Sequence, residues 1–369
     1  MNRHFLRDIV DIQTGPFGSQ LHKEDYVDIG TPIVTVEHLG SRIFTEQNLP
    51  KVSDEDKTRL SKYVLKEGDI VFSRVGSVDR CSYVDAEHDG WMFSGRCLRV
   101  RPNAEVNSLY LYYFFCLEDT KQFVRNIAVG ATMPSINTKL LGEVEVTYPS
   151  QTEQQKIVAL LSALDDKIEI NQKVNDNLQQ QTQAIYASMF VDNADPAWQQ
   201  GHLSDLVTVR YGKDHKKLAD GIYPVYGSGG IMRYVERPLY DKESVLIPRK
   251  GTLNNVMYVN QPFWSVDTMF YTEMRMPNVA KFVYHFVKAK DLASMNAGSA
   301  VPSMTTDILN AMEVAIPPAS ALEEFELLVA PMYKAMQEND AQSKILADLR
   351  DTLLPKLMSG EIDVSGINL

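Results

Sequence analysis

The chain repeats itself. Shifting the 369-residue sequence by 168 places lays residues 131–190 over 299–358 without a gap, so that ATMPSINTKLLGEVEVTYP (131–149) sits on SAVPSMTTDILNAMEVAIP (299–317). Pro134 then meets Pro302, Ser135 meets Ser303, Leu141 meets Leu309, Glu145 meets Glu313 and Pro149 meets Pro317. Such a repeat constrains the fold more than composition does, because two copies of one pattern call for two copies of one structure. Upstream the match is looser. FLRDIVDIQTG (5–15) resembles HLSDLVTVRYG (202–212), and VFSRVGSVDRCSYV (71–84) resembles LIPRKGTLNNVMYV (246–259), with Arg74 over Arg249 and Gly76 over Gly251. The changing offsets imply insertions and deletions in loops. Agreement in scaffold and divergence in loops is the pattern of one fold set to two different ligands.

Within each copy the reading is mixed α and β. Short β-branched and aromatic runs bounded by Gly, Pro or charge, such as TPIVTVEHL (31–39), DIVFSRV (69–75), SVLIP (244–248) and VMYV (256–259), predict strands. SLYLYYFFCLED (108–119) corresponds to AKFVYHFVKAKD (280–291) and predicts a buried helix whose rings form core rather than a stacking platform. After each copy comes a heptad pattern. Ile157, Leu161, Leu164, Ile168, Asn171, Asn175, Leu178, Thr182, Ile185 and Met189 alternate steps of 4 and 3. The shift of 168 turns this seam into Phe325, Val329, Met332, Met336, Asn339, Ser343, Leu346, Arg350, Leu353 and Leu357. At ~1.5 Å per residue, Ile157 to Met189 spans ~50 Å, a length that makes a rigid rod only when paired. Asn171 and Asn339 hold the same seam position, where buried polar groups fix register. Pro331 removes a helix hydrogen bond and predicts a kink or a helix start nearby.

Charge and motifs narrow the function. The net charge of −11 argues against a generic polyanion binder. The local balances, however, are −4 over 1–150, −4 over 151–199, +2 over 200–318 and −5 over 319–369. Much of the acidity thus sits in the helical segments. There is no GxxxxGK[ST] loop, HExxH pair or GxSxG elbow, and the histidines show no ligand spacing. GSGG (227–230) reads as a loop and DPAW (195–198) as a linker, so no catalytic centre, cofactor site or metal site is expected. Cys81, Cys97 and Cys116, without CxxC spacing, read as reduced thiols. The sequence begins without a signal peptide and contains no uninterrupted apolar span, which predicts a cytoplasmic protein with no membrane partner.

Two looped copies, each followed by a heptad helix and lacking an active site, resemble the specificity subunit of type I restriction-modification systems. Pro134-Ser135-Ile136 and Pro302-Ser303-Met304, ahead of YPSQTEQQKI (148–157) and IPPASALEEF (316–325), are similar to the family's junction of recognition domain and helix. LLPKLMSGEIDVS (353–365) is similar to its C-terminal signature. The resemblance implies an α+β fold class: two repeated mixed α/β target recognition domains separated by two long antiparallel coiled-coil helices, with pseudo-twofold symmetry. The expected division is a first recognition domain over 1–150, a spacer helix over 151–192, a second domain over 193–318 with a linker at 193–199, and a second spacer and tail over 319–369.

It further implies that the chain reads a bipartite, asymmetric site on double-stranded DNA, one half per domain, with the helices setting the gap. Its partners would be two methyltransferase subunits that bind S-adenosylmethionine and restriction subunits that use ATP. The chain itself would be non-catalytic. Two other readings are a duplicated protein-interaction scaffold and a specificity subunit of a methylation-only phage-defence system. Base reading in the major groove favours Arg or Lys on guanine and Asn or Gln on adenine. Loops that carry such groups beside glycine therefore supply the candidates. In the first copy they are Ser19, Lys23, Arg74, Ser77, Arg80, Arg96 and Thr132. In the second they are Tyr211, Lys213, Lys216, Lys217, Arg249, Lys250, Asn254, Asn255 and Ser299. Gly130-Ala131-Thr132 and Gly298-Ser299-Ala300 are candidates for backbone contacts to phosphate.

Overall fold

A computed structural model describes residues 2–16, 18, 20–295 and 303–366. It divides into two units, residues 1–171 with 341–369, and residues 172–340. In the first unit, β1 (Asn2–Phe5) pairs antiparallel with β10 (Glu145–Tyr148). The main antiparallel sheet has the order β2 (Val10–Thr14), β9 (Cys97–Pro102), β6 (Ile70–Ser73), β7 (Cys81–Tyr83). Beside it runs β3 (Tyr26–Val27), β5 (Lys51–Val52), β4 (Thr31–Val34), β8 (Met92–Phe93), in which β4 and β8 are parallel.

The second unit repeats this plan. β11 (Gln199–His202) pairs with β19 (Glu313–Ile316). The main sheet is β12 (Val207–Tyr211), β18 (Met269–Met274), β15 (Ser244–Pro248), β16 (Met257–Val259). The smaller sheet is β14 (Gly230–Val235), β13 (Asp220–Gly227), β17 (Trp264–Ser265), again with one parallel pair, β13 and β17. β6 and β15 are buried at every position, which is why they read as continuous apolar runs rather than alternating ones.

The aromatic runs form helices α1 (Ser108–Cys116) and, in the second unit, Ala280–Lys288. Asn107 caps α1 by accepting from the Leu109 and Tyr110 amides. Tyr110, Tyr113, Phe115 and Phe282 are fully buried, so these rings are core, as expected. Cys81 and Cys97 are buried and Cys116 is half-buried, all three free. Burial pushes the Cys97 thiol up to about 12, which keeps it protonated and inert.

Two long helices follow the copies: α2 (Gln151–Ala187), continued by a π-helical turn over Ser188–Asp192, and, numbering Ala280–Lys288 as α3, α4 (Ala319–Ser359). Each unit holds one stretch of both. They pair antiparallel. In the first unit Asn171 Nδ2 donates to Gln342 Oε1 (3.0 Å) and Ser343 Oγ (3.1 Å). In the second, Asn339 Nδ2 donates to Asn175 Oδ1 (2.8 Å) and Asn175 Nδ2 to Asp340 Oδ1 (2.7 Å). Under the shift of 168, Asn171 with Ser343 is the counterpart of Asn339 with Asn175, so one polar seam contact occurs twice. The seam drifts by one place toward its ends: Asp165, Tyr186, Tyr333 and Leu354 are buried where Leu164, Ile185, Met332 and Leu353 are half-buried. At those places the helices face their own globular cores: Asp165 bonds Tyr113, Tyr333 meets His285, Leu354 joins the first core and Tyr186 the second.

Pro331 does not start a helix. α4 runs through it from Ala319 because Pro331 lies on an exposed face, while Phe325, Val329 and Tyr333 on the opposite face are buried. The missing bond would go to Leu327, itself 74% exposed and so on the solvent side of the helix. Gly360, at φ +78, then ends the helix, and the tail returns so that Lys156 Nζ donates to the Ser365 carbonyl (2.7 Å) and Val364 joins the first core.

Among the buried polar contacts that join each globular core to the long helices, one set sits at the same place in both units but differs in chemistry. In the first unit Tyr113 donates to Asp165 Oδ2 (2.7 Å), and Arg350 Nη1 donates to Asp165 Oδ1 (2.6 Å). Counterparts of Asp165, Arg350 and Tyr113 are Tyr333, Thr182 and His285. There His285 Nε2 meets the Tyr333 hydroxyl at 3.0 Å, and Nδ1 meets Gln183 Oε1 at 2.8 Å. Burial, with Lys288 nearby, pushes the imidazole down to about 4. The folded state therefore keeps His285 neutral while the unfolded chain takes up its proton near 6.5. Stability falls as pH drops from 6.5 toward 4, by about 2 kcal/mol at pH 5. His285→Phe should flatten this dependence, which urea midpoints at pH 7 and pH 5 will measure for both proteins.

Candidate nucleic-acid interface

Four stretches of the first copy meet at one place: the end of β2, the turn after β6, the turn before β9 and the Pro134-Ser135-Ile136 segment. Gly15 N donates to Cys97 O (3.2 Å), Arg74 N to Arg96 O (2.8 Å) and Ile136 N to Arg74 O (2.9 Å). Val75 bridges Ser135, and Gly76, at φ +75, donates to Pro134 O (2.8 Å). Arg74 Nη1 donates to the Gly95 carbonyl at 3.0 Å. Val129 and Ser135 exchange backbone bonds (2.9 and 2.8 Å), closing an exposed loop that presents Gly130 to Pro134.

Among the described residues the second copy builds a matching cluster. Gly212 N donates to Met269 O (3.0 Å), Arg249 N to Thr268 O (2.9 Å) and Met304 N to Arg249 O (2.9 Å). Lys250 bridges Ser303, and Gly251 has φ +85. Arg249 Nη1 donates to the Asp267 carbonyl at 3.2 Å. The two glycines at the strand ends have no room for a side chain: a Cβ would lie 2.1 Å from Ser94 O at Gly15 and 2.0 Å from Val266 O at Gly212. The segment 266–268 is thus the counterpart of 94–96, a match the sequence hides because only its backbone is repeated.

The candidate side chains fall into three groups. Exposed at the cluster or beside it are Ser77, Arg96 and Thr132 in the first copy, and Tyr211, Lys213, Lys216, Lys217 and Lys250 in the second. Tyr211 is 52% exposed and carries the Arg249 guanidinium 5.3 Å above its ring. Its neighbour is pinned, since Lys213 N donates to Ser265 O (2.8 Å) and the Trp264 indole to Lys213 O (2.8 Å).

The second group is committed within the chain. Arg74 and Arg249 hold carbonyls as described. Arg80 donates to the Leu39 carbonyl. Asn254 donates to Asp291 Oδ1 (3.1 Å) and accepts from Ala293 N (3.0 Å), tying down the loop after α3. Asn255 donates to Ser228 O (2.7 Å) at the tip of the β13–β14 hairpin, which is where GSGG folds. Arg80 and Asn254, though bonded in this way, are also exposed.

For the third group placement is not described. Ser19 and Ser299, with Gly298, Ala300 and Pro302, lie outside the described residues, and of the Lys23 side chain only the backbone is described, in a 3-10 turn over Lys23–Asp25. The sequence reading missed an apolar surface on the hairpin, where Ile222 (78%), Ile231 (49%) and Met232 (61%) are exposed. No helix among the described residues is long and apolar enough to cross a membrane.

Comparison with known proteins follows the same repeat. The family model described as "Type I restriction modification DNA specificity domain" matches residues 2–180 and again 196–349. A specificity subunit of the type I restriction enzyme MjaIX from Methanocaldococcus jannaschii is 24% identical, over 97% of this chain and 93% of that protein. The HindI specificity subunit of Haemophilus influenzae is 21% identical, over 82% of this chain and 88% of that one. The crystal structure of a type I restriction-modification S subunit from M. genitalium shares the fold, with a TM-score of 0.62 at 18% identity over 96% of this chain and 95% of that one. With two matches to the family's domain that coincide with two copies of one loop cluster, the chain belongs to the type I restriction-modification specificity subunits.

Proposed function

We propose that the chain reads an asymmetric two-part sequence on double-stranded DNA, one half through each loop cluster, and positions partner subunits on it. The observation that carries this reading is the duplicated cluster, with its backbone bonds kept and its exposed side chains changed. Identical readers would bind a repeated half-site; different side chains on one scaffold suit two unlike halves.

In this reading residues 1–150 and 193–318 are the recognition domains, with a linker at 193–199, and residues 151–192 and 319–369 are spacers. Ser77, Arg96 and Thr132 face one half, with Ser19 and Lys23 on the same loops. Tyr211, Lys213, Lys216, Lys217 and Lys250 face the other, together with Ser299. Arg74, Arg80, Arg249, Asn254 and Asn255 shape the clusters from within. The helices set the gap. The partners are two methyltransferase subunits that bring S-adenosylmethionine and restriction subunits that bring ATP-driven cleavage, in the cytoplasm. The chain supplies specificity and no catalytic group. With a net charge of −11, it depends on its partners for much of the phosphate contact, so DNA binding by the isolated chain is expected to be weak.

Mapping methylated sites in a host that expresses this chain with its methyltransferase partners tests the reading. The expected result is one bipartite motif. Replacing Lys213, Lys216 and Lys217 by alanine should alter or weaken one half only; a change spread over both halves counts against independent readers.

A further inference from the structure

Arg74 and Arg249 are arginines of the kind expected to read guanine, yet three matching bonds hold both of them. Each donates its backbone N–H to the carbonyl of Arg96 or Thr268, accepts from Ile136 or Met304, and spends Nη1 on the Gly95 or Asp267 carbonyl. Arginines held by the same backbone and Nη1 bonds offer similar donors to both halves of a site, although Arg249 also lies 5.3 Å over the Tyr211 ring where the first copy has Thr14. A shared brace of this kind does not by itself make the halves differ. The residues that differ stand around it in one frame. Thr14 opposes Leu98 where Tyr211 opposes Phe270, Val75 bridges Ser135 where Lys250 bridges Ser303, and Arg96 lies where the second copy has Thr268.

We propose that Arg74 and Arg249 are positioning residues that brace the reading loops, and that Thr14, Val75 and Arg96, against Tyr211, Lys250 and Thr268, set the bases read. This rests on the reading of the chain as a two-domain DNA specificity subunit. Arg96, exposed and held through its own carbonyl by the Arg74 amide, presents a planar fork suited to the two acceptors of a guanine edge in the first half-site. The second copy has no fork there: it offers the Thr268 hydroxyl, the Lys250 ammonium and the Tyr211 ring.

The test maps methylated sites for the full chain with its methyltransferase subunits. Arg74→Lys and Arg249→Lys, which keep charge and lose the fork, should leave every base of the motif unchanged and lower the methylated fraction at all sites alike. Arg96→Thr should relax one guanine in one half by about 5- to 100-fold, and Tyr211→Thr should change the other half only. Relaxation of a single base by either lysine variant, or an unchanged motif with Arg96→Thr, overturns the proposal while the two-reader function stands. A wild-type chain that yields no bipartite motif overturns both. Should the lysine variants fail to assemble, the two exposed-residue variants decide alone.

Discussion

Gly212→Ala is expected to erase recognition of one half-site and to destabilise the second unit by about 3 kcal/mol or more. The added Cβ would sit 2.0 Å from the Val266 carbonyl oxygen and 2.6 Å from that of Ser265, both main-chain atoms. Neither can rotate away. Lys213 N bonds Ser265 O, Val266 N bonds Tyr226 O and Gly212 N bonds Met269 O, so relief at one atom breaks the turn that holds the strand end against its neighbour. Gly15→Ala meets Ser94 O at 2.1 Å and should do the same to the first half. Gly229→Ala, where a Cβ meets nothing within 4 Å, is the control. Urea midpoints and methylated-site maps of the three variants will check this; wild-type motif and midpoint in Gly212→Ala would contradict the geometry.

Arg350→Leu is expected to cost about 3 kcal/mol, more than either Arg350 or Asp165 contributes as half of a surface pair. Asp165 is 4% exposed and is held by the Arg350 guanidinium and the Tyr113 hydroxyl. Removing the arginine leaves a carboxylate that has lost its counter-charge and most of its water. Because that penalty belongs to the orphaned charge, the double variant Asp165→Leu, Arg350→Leu should recover most of the loss or exceed the wild type. Chemical denaturation of the single and double variants separates these outcomes: a double variant no more stable than Arg350→Leu would show that the pair is net stabilising. The second unit does the same job with Tyr333, Thr182 and neutral His285. A one-for-one exchange between the copies at any of these positions would bury a group whose partner is missing.

The repeat, the buried aromatic helices, the two rods and their asparagine seam were all legible in the sequence, because each rests on a short-range period or on side-chain type. Pro331 predicted a kink or a helix start; the helix does not start there but runs through it from Ala319, with Pro331 on an exposed face and the opposite face packed. The loops proposed as the site were legible in the sequence, whereas the hydrogen bonds that their side chains make within the chain were not. Arg96 and Arg80 are both exposed and each lies beside a glycine-containing turn, yet Arg80 donates to the Leu39 carbonyl. Asn254 and Asn255 have the amides expected of adenine readers, and folding brings Asp291 and Ser228 beside them from 37 and 27 residues away.

Residue type and period by themselves determined that one unit occurs twice, what its core is made of and where the rods run. That Arg74, Arg80 and Arg249 hydrogen-bond main-chain carbonyls, and that 266–268 is the counterpart of 94–96, only the tertiary structure decided. The reason is physical: those assignments depend on main-chain carbonyls, which every residue carries alike and which only folding brings within 3 Å of a particular donor.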